Sequence, residues 1–137
     1  MFGDVWDWAG VPRKTREHIG GNILPAAIPS ELQKVLYELH QMEKENVSVT
    51  EIVTKVHHKI VYIHPFEGGN GRFSRMIVDL YLNSKNLPIM NWPSDKDFIE
   101  KKFKPRYISA LKKADMGDYS SFLELHSEYW QPTGKSK

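Results

Sequence analysis

Hydrophobic side chains recur at intervals of three and four residues from Pro29 onward, which is the spacing of one face of an α-helix. The first helix is predicted to begin with Ser30 as N-cap and Gln33 three residues later, because each side chain of such a capping box bonds a free backbone N–H. Its apolar stripe consists of Leu32, Val35, Leu36, Leu39 and Met42.

A second helix is predicted from the same pattern. Ser48 and Glu51 form another capping box at its start, and the absence of strict alternation argues against a strand in spite of the β-branched residues. The helix is expected to end near His64, because Pro65 disfavours helical backbone in the residue before it. The predicted buried stripe is Ile52, Val56, Ile60 and Ile63, with Val49 and Val53 beside it.

Beyond this point the helical period returns in three full helices and one short helical segment. Pro105 suits the first turn of one helix, where its missing N–H is not needed, and Asp118 can cap the last one. The predicted segments are Phe73 to Tyr81, Ser94 to about Lys102, Pro105 to Leu111 with Met116 and Gly117 at its end, and Asp118 to Trp130.

The N-terminal part lacks this period. Trp, Gly and Pro interrupt every pattern between Met1 and Ile28, and a short β-hairpin from about His18 to Ala27 is the one element predicted there. A chain of 137 residues has the size of a single domain. We therefore predict a mainly α fold, with one domain over residues 1–130 and a flexible tail over residues 131–137.

The composition narrows the chemistry. The absence of cysteine excludes a disulfide scaffold, a cysteine nucleophile and a thiolate metal site. A net charge of +2 is too small to indicate nucleic acid or an acidic membrane as a partner, and the apolar runs are much shorter than a membrane span requires. We therefore expect a soluble, cytoplasmic protein that contacts neither nucleic acid nor membrane directly.

The candidate chemistry lies between the second and third helices, in the segment HPFEGGNGRFSR from His64 to Arg75. Its glycines let the backbone approach a ligand closely, and the next helix directs its unpaired amides at the same point. Arg72 and Arg75 can hold different oxygens of a polyphosphate, because they lie on one face of the first turn. His64 lies at the start of the segment, and its imidazole can take a proton from a hydroxyl at neutral pH. The pattern therefore suggests transfer of a phosphate-containing group to a hydroxyl.

Other kinds of phosphate-binding loop fit these residues less well. A Walker loop needs a Lys followed by Ser or Thr after the glycines, and a dinucleotide fingerprint needs a preceding strand; neither is predicted. A plain glycine-rich connection with a surface histidine and two solvated arginines is the simplest alternative. His57 and His58 could suggest a zinc site with His64, but the spacing of a zinc-binding helix is missing. We expect His58 to pack or hydrogen-bond near the base instead.

The segment resembles the signature of Fic proteins, HPFx(D/E)GNGRxxR. The resemblance extends to FGDVWDWAGVPR, from Phe2 to Arg13, and to the stretch from Tyr107 to Tyr119, which is similar to the tail of a Fic subgroup called mobile mystery protein B. It implies an all-α Fic-fold helical bundle with a short β-hairpin flap near the N-terminus. It also implies AMPylation, in which AMP moves from ATP to a Ser, Thr or Tyr hydroxyl of a target protein.

The resemblance also implies roles for individual residues. His64 would be the general base, and the loop amides with Asn70 would hold the α-phosphate. Arg72 and Arg75 would bind the β- and γ-phosphates. The whole phosphate-binding set would be Glu67, Gly68, Gly69, Asn70, Gly71, Arg72 and Arg75. The flap, from Ile19 to Ala27, would pin the target chain by strand-like pairing through Ile19, Gly20, Gly21, Asn22 and Ile23.

One position departs from the signature. The acidic residue that helps bind Mg²⁺ should fall at Gly68, and the neighbouring acid is Glu67, one residue early. Mg²⁺ neutralises developing charge in such transfers, so its loss would remove much of the rate. Three outcomes follow: Glu67 substitutes through a shifted loop, the chain is a weakly active module that binds nucleotide or a partner, or it uses another phospho-donor.

Two further expectations concern the ends of the chain. It begins close to the WDWAG segment, where many Fic cores have an earlier helix, so the first family helix would be missing. The family's inhibitory pattern is not matched, because Ser120 and Glu124 are correctly spaced but are followed by Leu125. Any restraint is therefore expected from an antitoxin-like partner chain. The target protein, the donor nucleotide and the oligomeric state do not follow from the sequence.

Overall fold

The computed structural model describes residues 25–63, 70–93 and 103–130. No residue in these ranges lies in a β-strand, so the predicted mainly α class is confirmed for them. A 3-10 turn at Pro25–Ala27 precedes five α-helices, which are α1 (Ile28–Lys44), α2 (Val49–Ile63), α3 (Asn70–Ser84), α4 (Phe103–Asp115) and α5 (Ser120–Glu128).

Helix α2 is the central element of the described structure. It packs against α1 and α3 over one part of its surface and against α4 and α5 over another. The reason is its composition: apolar residues occur on nearly every side, as expected for a helix that is surrounded by neighbours. All four residues of its predicted stripe are buried, and their exposed fractions are at most 3%.

Three apolar clusters fill the spaces between the helices. The first joins α1, α2 and α3, and the third connects α3 with the segment after it and with Trp130. The second lies between α4 and α5 and is rich in aromatic rings. Its buried members are Phe103, Tyr107, Ala110, Leu111, Phe122 and Leu125. This aromatic cluster lies beside α2 and determines what the polar residues of α2 can contact.

The predicted start of α1 is wrong. The helix begins at Ile28, and the Ser30 hydroxyl donates to the Ala27 carbonyl instead of capping the helix. The reason is Pro29, which is well suited to a first turn and moves the start upstream. For α2, half of the predicted box is confirmed, because the Glu51 amide donates to Ser48 Oγ over 3.2 Å.

The ends of the helices are close to the predicted positions. The chain leaves α1 at Asn46 and α3 at Asn86 with positive φ values of 59° and 60°, a backbone state that asparagine tolerates better than most residues. Gly117, with φ of 92°, follows α4 as predicted. Asp118 is not the formal N-cap of α5, but its carboxylate accepts hydrogen bonds from the Ser120 amide and hydroxyl.

Two predicted core residues behave differently from each other. Leu36 was placed in the stripe of α1, yet its side chain is 57% exposed, because it lies beyond the edge of the face that meets α2. Trp130, the last residue of the final predicted segment, is buried, but α5 ends at Glu128 and does not include it. Its indole N–H donates to the Pro88 carbonyl over 2.7 Å, which joins the end of the described chain to the segment after α3.

Several predictions fall wholly or partly outside the described residues. These are most of the β-hairpin flap, the loop from His64 to Gly69, the short helical segment from Ser94 to Lys102, and the C-terminal tail. The predicted hairpin extended to Ala27, and there the structure differs, because Pro25–Ala27 forms a 3-10 turn. Among the helices that are described, none is both long and apolar enough to cross a membrane.

Candidate functional site

The described part of the predicted phosphate site is the first turn of α3. Gly71 and Arg72 lie in this turn and Arg75 lies in the next one, so their predicted position near a helix N-terminus is confirmed. Arg72 is exposed and Arg75 is partly buried. The turn is closed by Ser74, which is fully buried and donates its hydroxyl to the Gly71 carbonyl over 2.8 Å. This places two guanidinium groups beside the positive end of the α3 dipole, an arrangement that favours an anion.

Gly71 allows a close approach at this turn. A Cβ atom at this position would lie 3.2 Å from Arg75 Nη1 and 3.6 Å from the Tyr107 hydroxyl. The first distance is shorter than ordinary carbon–nitrogen contact, so a side chain here would shift the guanidinium by a few tenths of an ångström. The glycine therefore lets Arg75 fold back over the first turn of its own helix.

Arg75 is held by a residue of α4. Its side chain hydrogen-bonds to the hydroxyl of Tyr107, whose side chain is buried between α2, α3 and α5. Burial raises the pKa of Tyr107 to about 12, and the nearby Arg75 charge opposes part of that rise. The phenol is therefore neutral at physiological pH, and its oxygen acts as an acceptor for the guanidinium.

Behind Tyr107 lies a chain of buried histidines. His57 of α2 is fully buried, and its Nε2 is 2.8 Å from the Tyr107 hydroxyl. Its Nδ1 is 2.9 Å from Nε2 of His126 in α5. The Nδ1 of His126 is in turn 2.8 Å from the Phe122 carbonyl. Three helices thus contribute to one continuous line of hydrogen bonds that ends at Arg75.

The carbonyl at one end fixes the direction of every bond in this line. A carbonyl can only accept, so His126 Nδ1 carries the proton and its Nε2 is an acceptor. His57 therefore donates from Nδ1 to His126 and accepts at Nε2 from the Tyr107 O–H. The Tyr107 oxygen is then an acceptor toward its other hydrogen-bond neighbours, Arg75 and Ser74.

This assignment needs both imidazoles to be neutral, and their surroundings favour that state. Burial lowers the pKa of His126 to about 4. Burial also lowers the pKa of His57 well below its ordinary value, and the positive charge of Arg75 acts in the same direction. Near pH 7 the line is therefore uncharged except at the guanidinium of Arg75.

The next residue of α2 makes a separate network. His58 is 2.7 Å from the Asp115 carboxylate through Nε2 and 2.9 Å from the Tyr119 hydroxyl through Nδ1. Burial lowers its pKa, and the hydrogen bond and charge of Asp115 oppose that effect. The expectation that His58 packs or hydrogen-bonds is therefore confirmed, whereas its nearness to the proposed base is not tested, because His64 lies outside the described residues. Both of its partners lie at the α4–α5 turn.

The structure tests only some of the predicted site residues. Asn70 is the first residue of α3, next to the three residues described above. His64, Glu67, Gly68, Gly69 and the flap residues Ile19, Gly20, Gly21, Asn22 and Ile23 lie outside the described residues. No group of three or more His, Cys, Asp or Glu side chains that could hold a metal ion occurs in the described ranges.

Sequence reasoning missed the support behind Arg75. Tyr107 and His126 were assigned to helices but not to the site, since their contacts with His57 span 50 and 69 residues of the chain. A signal was present in α2, where two adjacent histidines lie between the buried stripe residues Val56 and Ile60. A buried imidazole needs hydrogen-bond partners, so those partners had to come from other helices.

The family model for the Fic/DOC family matches residues 2–82. The chain belongs to the Fic/DOC family. This match includes the whole signature segment, helices α1 and α2, and α3 up to residue 82, whereas α4 and α5 lie beyond its end. Of the hydrogen-bonded line, His57 lies within the match, and Tyr107 and His126 lie beyond it.

Relatives of this Fic chain bear the name protein adenylyltransferase Fic. The protein of that name from Drosophila grimshawi is 27% identical over 125 residues, which is 88% of this chain and 24% of the relative. The one from Culex quinquefasciatus is 26% identical over the same length, 88% of this chain and 23% of the relative. The chain thus spans about a quarter of the length of these curated relatives.

Solved Fic structures share the fold. Fic-1 of C. elegans superimposes with a TM-score of 0.70 at 23% identity, covering 90% of this chain and 34% of that one. BepC of Bartonella tribocorum, solved with bound AMPPNP, gives a TM-score of 0.65 at 22% identity, covering 93% of this chain and 67% of that one. The predicted Fic-like helical fold is confirmed.

Proposed function

We propose that this chain transfers AMP from ATP to a Ser, Thr or Tyr hydroxyl of a target protein. The observation that carries the proposal is the N-terminal end of α3, where Arg72 and Arg75 lie in its first two turns in a chain of the Fic/DOC family. The name of the relatives, protein adenylyltransferase, and the AMPPNP bound to BepC support ATP as the donor.

The proposed mechanism assigns the base to His64, which directly follows the last residue of α2. The target hydroxyl would attack the α-phosphorus while its proton passes to the imidazole of His64. The bond between the α-phosphorus and the bridging oxygen would break, and pyrophosphate would leave. The new bond is a phosphoester between AMP and the target side chain.

The remaining residues would bind and orient the donor. The amides of the loop from Glu67 to Gly69, together with Asn70 and Gly71, would surround the α-phosphate. Arg72 and Arg75 would hold the β- and γ-phosphates and stabilise the charge of the departing pyrophosphate. The flap residues, Ile19 to Ile23, would align the target by backbone pairing.

Few residues in this proposal could bind magnesium. Mg²⁺ prefers oxygen ligands, and in the signature segment the carboxylate of Glu67 is the candidate because Gly68 has no side chain. The described residues provide no cluster of carboxylates that could replace it. When bound, the ion would neutralise phosphate charge. The steps above are assigned to residues of this chain alone.

A second candidate is a module that binds nucleotide without transfer. Gly68 favours it, since the position that carries the metal-binding acid in the signature has no carboxylate here. An inhibitory antitoxin-like partner and a cytoplasmic location complete the proposal. The possible inhibitory pair Ser120 and Glu124 lies on α5, and the sequence around it does not match the family's pattern.

Transfer can be tested by incubating the purified chain with ATP and candidate target proteins, and reading the added mass on intact targets. A mass increase equal to AMP that disappears in His64→Ala would support transferase activity. A different added mass would identify another phospho-donor. ATP binding by calorimetry without any mass increase would support the binding module, and no binding would refute both.

A further inference from the structure

We propose that Tyr107 is a positioning residue, which holds Arg75 in place for the terminal phosphates of a bound nucleotide. His57 and His126 act behind it by fixing the direction of its hydroxyl. This inference rests on the proposed function, in which Arg75 binds the β- and γ-phosphates. It adds to that function a set of residues from α2, α4 and α5.

The first argument is the polarity of the cluster. Tyr107 is 4% exposed, and both histidines are fully buried among aromatic rings. Burying polar groups in such a place seldom adds stability, since an apolar cluster of the same shape packs at least as well. A phenylalanine would fill the space at position 107. The hydroxyl is the partner of one ring nitrogen of the buried His57, and its further contact with Arg75 connects this buried pair to the phosphate site.

The second argument is the fixed direction of the line. Because the Phe122 carbonyl can only accept, each proton is assigned, and the Tyr107 O–H must donate to His57. The lone pairs of the phenol oxygen are therefore permanently available to the guanidinium. A hydroxyl free to rotate would offer its proton to Arg75 part of the time, and that contact would be repulsive.

The third argument is charge. A neutral acceptor orients a guanidinium without cancelling its positive charge, whereas a carboxylate would cancel it. The nearby acid on the same helix is Asp79, one turn further along, and its Oδ1 accepts the Met90 amide over 3.1 Å. Burial raises the pKa of the Asp79 carboxyl, and the charge of Arg75 has a smaller effect in the opposite direction.

The fourth argument is location. Nη1 of Arg75 and the Tyr107 oxygen both lie within 4 Å of the Cβ position at Gly71. The hydrogen bond between Tyr107 and Arg75 thus lies beside the N-terminal end of α3, where the helix dipole adds to the attraction for an anion. Holding the guanidinium there before the nucleotide arrives reduces the entropy lost on binding.

The test compares two tyrosine-to-phenylalanine variants. Tyr107→Phe removes the hydroxyl next to Arg75. Tyr119→Phe is the matched control, because its hydroxyl donates to His58 in the network that ends at Asp115. Affinities for ATP and for AMP are measured by calorimetry, and thermal stability is measured for each protein. The ratio of the two affinities reports on the terminal phosphates, which AMP lacks.

Tyr107→Phe should weaken ATP binding about tenfold, the size expected for a hydrogen bond that orients a charged group, and leave AMP binding unchanged. Tyr119→Phe should leave the ratio as in the wild type. In an Arg75→Ala background, Tyr107→Phe should have no further effect on ATP affinity. An unchanged ratio in Tyr107→Phe, or an equal loss for both nucleotides, would overturn the proposal.

The two levels of the proposal fail in different ways. ATP binding without transfer to any target would refute the transferase, and the ATP-to-AMP ratio would still decide the role of Tyr107. If the wild type does not bind ATP, the transferase and the role of Tyr107 are both refuted.

If Tyr107→Phe does not fold, NMR of the wild type replaces the measurement on this variant. The Arg75 side-chain N–H signals should be resolved before ligand is added and should shift with ATP but not with AMP. Signals averaged by free rotation would overturn the proposal.

Discussion

Replacing His126 with glutamine should make the protein less sensitive to acid. In the folded state burial lowers the pKa of His126 to about 4, from an ordinary value of 6.5. As the pH falls, the unfolded chain therefore takes up a proton before the folded one does. The stability contributed by the neutral imidazole is complete above pH 6.5 and is lost between that value and about pH 4. Glutamine keeps a polar group at this position but does not titrate.

The size of the effect follows from the two pKa values. A group with these values removes about 2 kcal/mol from the free energy of unfolding between pH 7.5 and pH 5, and about 3 kcal/mol once both states are protonated. A domain of this size has a total stability of roughly 5 to 15 kcal/mol, so the loss is large. His57 should add to it, because burial lowers its pKa as well.

The assay is urea unfolding at several pH values from 7.5 to 5, with the wild type and His126→Gln side by side. The wild type should lose about 2 kcal/mol more than the variant over this range, because His126 is the only titrating group that differs. A second histidine variant, His40→Gln, changes a side chain that is 71% exposed and controls for the substitution itself. Parallel curves for wild type and His126→Gln, or a His126 imidazole that titrates near pH 6.5 in the folded protein by NMR, would refute the reasoning.

Two further predictions concern the glycines of the signature segment. Gly71→Ala should keep or slightly raise thermal stability, because alanine favours helix by about 1 kcal/mol. The same variant should weaken ATP binding several-fold, because its Cβ would lie 3.2 Å from Arg75 Nη1. An unchanged ATP affinity in calorimetry would contradict the second expectation. Gly68→Asp should raise the rate of transfer in the presence of Mg²⁺, since it restores a carboxylate at the position used by the signature. The same variant with a chelator is the control. A transfer rate that does not change with Mg²⁺ would argue against the idea that the native loop binds metal weakly.

The helices were largely predictable because their signals are local. The stripe of α2 repeats at short intervals, and all of its predicted members are buried. The start of α1 was not predicted, because the Ser30 capping signal competed with Pro29 and Ile28, and burial of Ile28 favours the earlier start. The prediction that Leu36 is buried was wrong for a related reason. Helical spacing identifies the face of α1 that meets its neighbour, but the width of that contact depends on the neighbouring helix.

The candidate site divides in the same way. Gly71, Arg72 and Arg75 belong to one short segment, so the sequence alone placed them together on a helix N-terminus. Tyr107 and His126 could not be placed with them, because no local pattern shows which residues of α4 and α5 meet α2. Their pairing depends on how three helices pack, and that is decided by the whole aromatic cluster.

The adjacent histidines of α2 also have a geometric consequence. Neighbouring residues point about 100° apart around a helix axis, and here both directions are fixed: His57 meets Tyr107 and His126, while His58 meets Asp115. Turning α2 by a single residue would break both sets of bonds at once. These bonds therefore fix the rotation of α2 about its own axis. They also fix the direction in which the chain leaves α2 at Ile63 toward the signature loop.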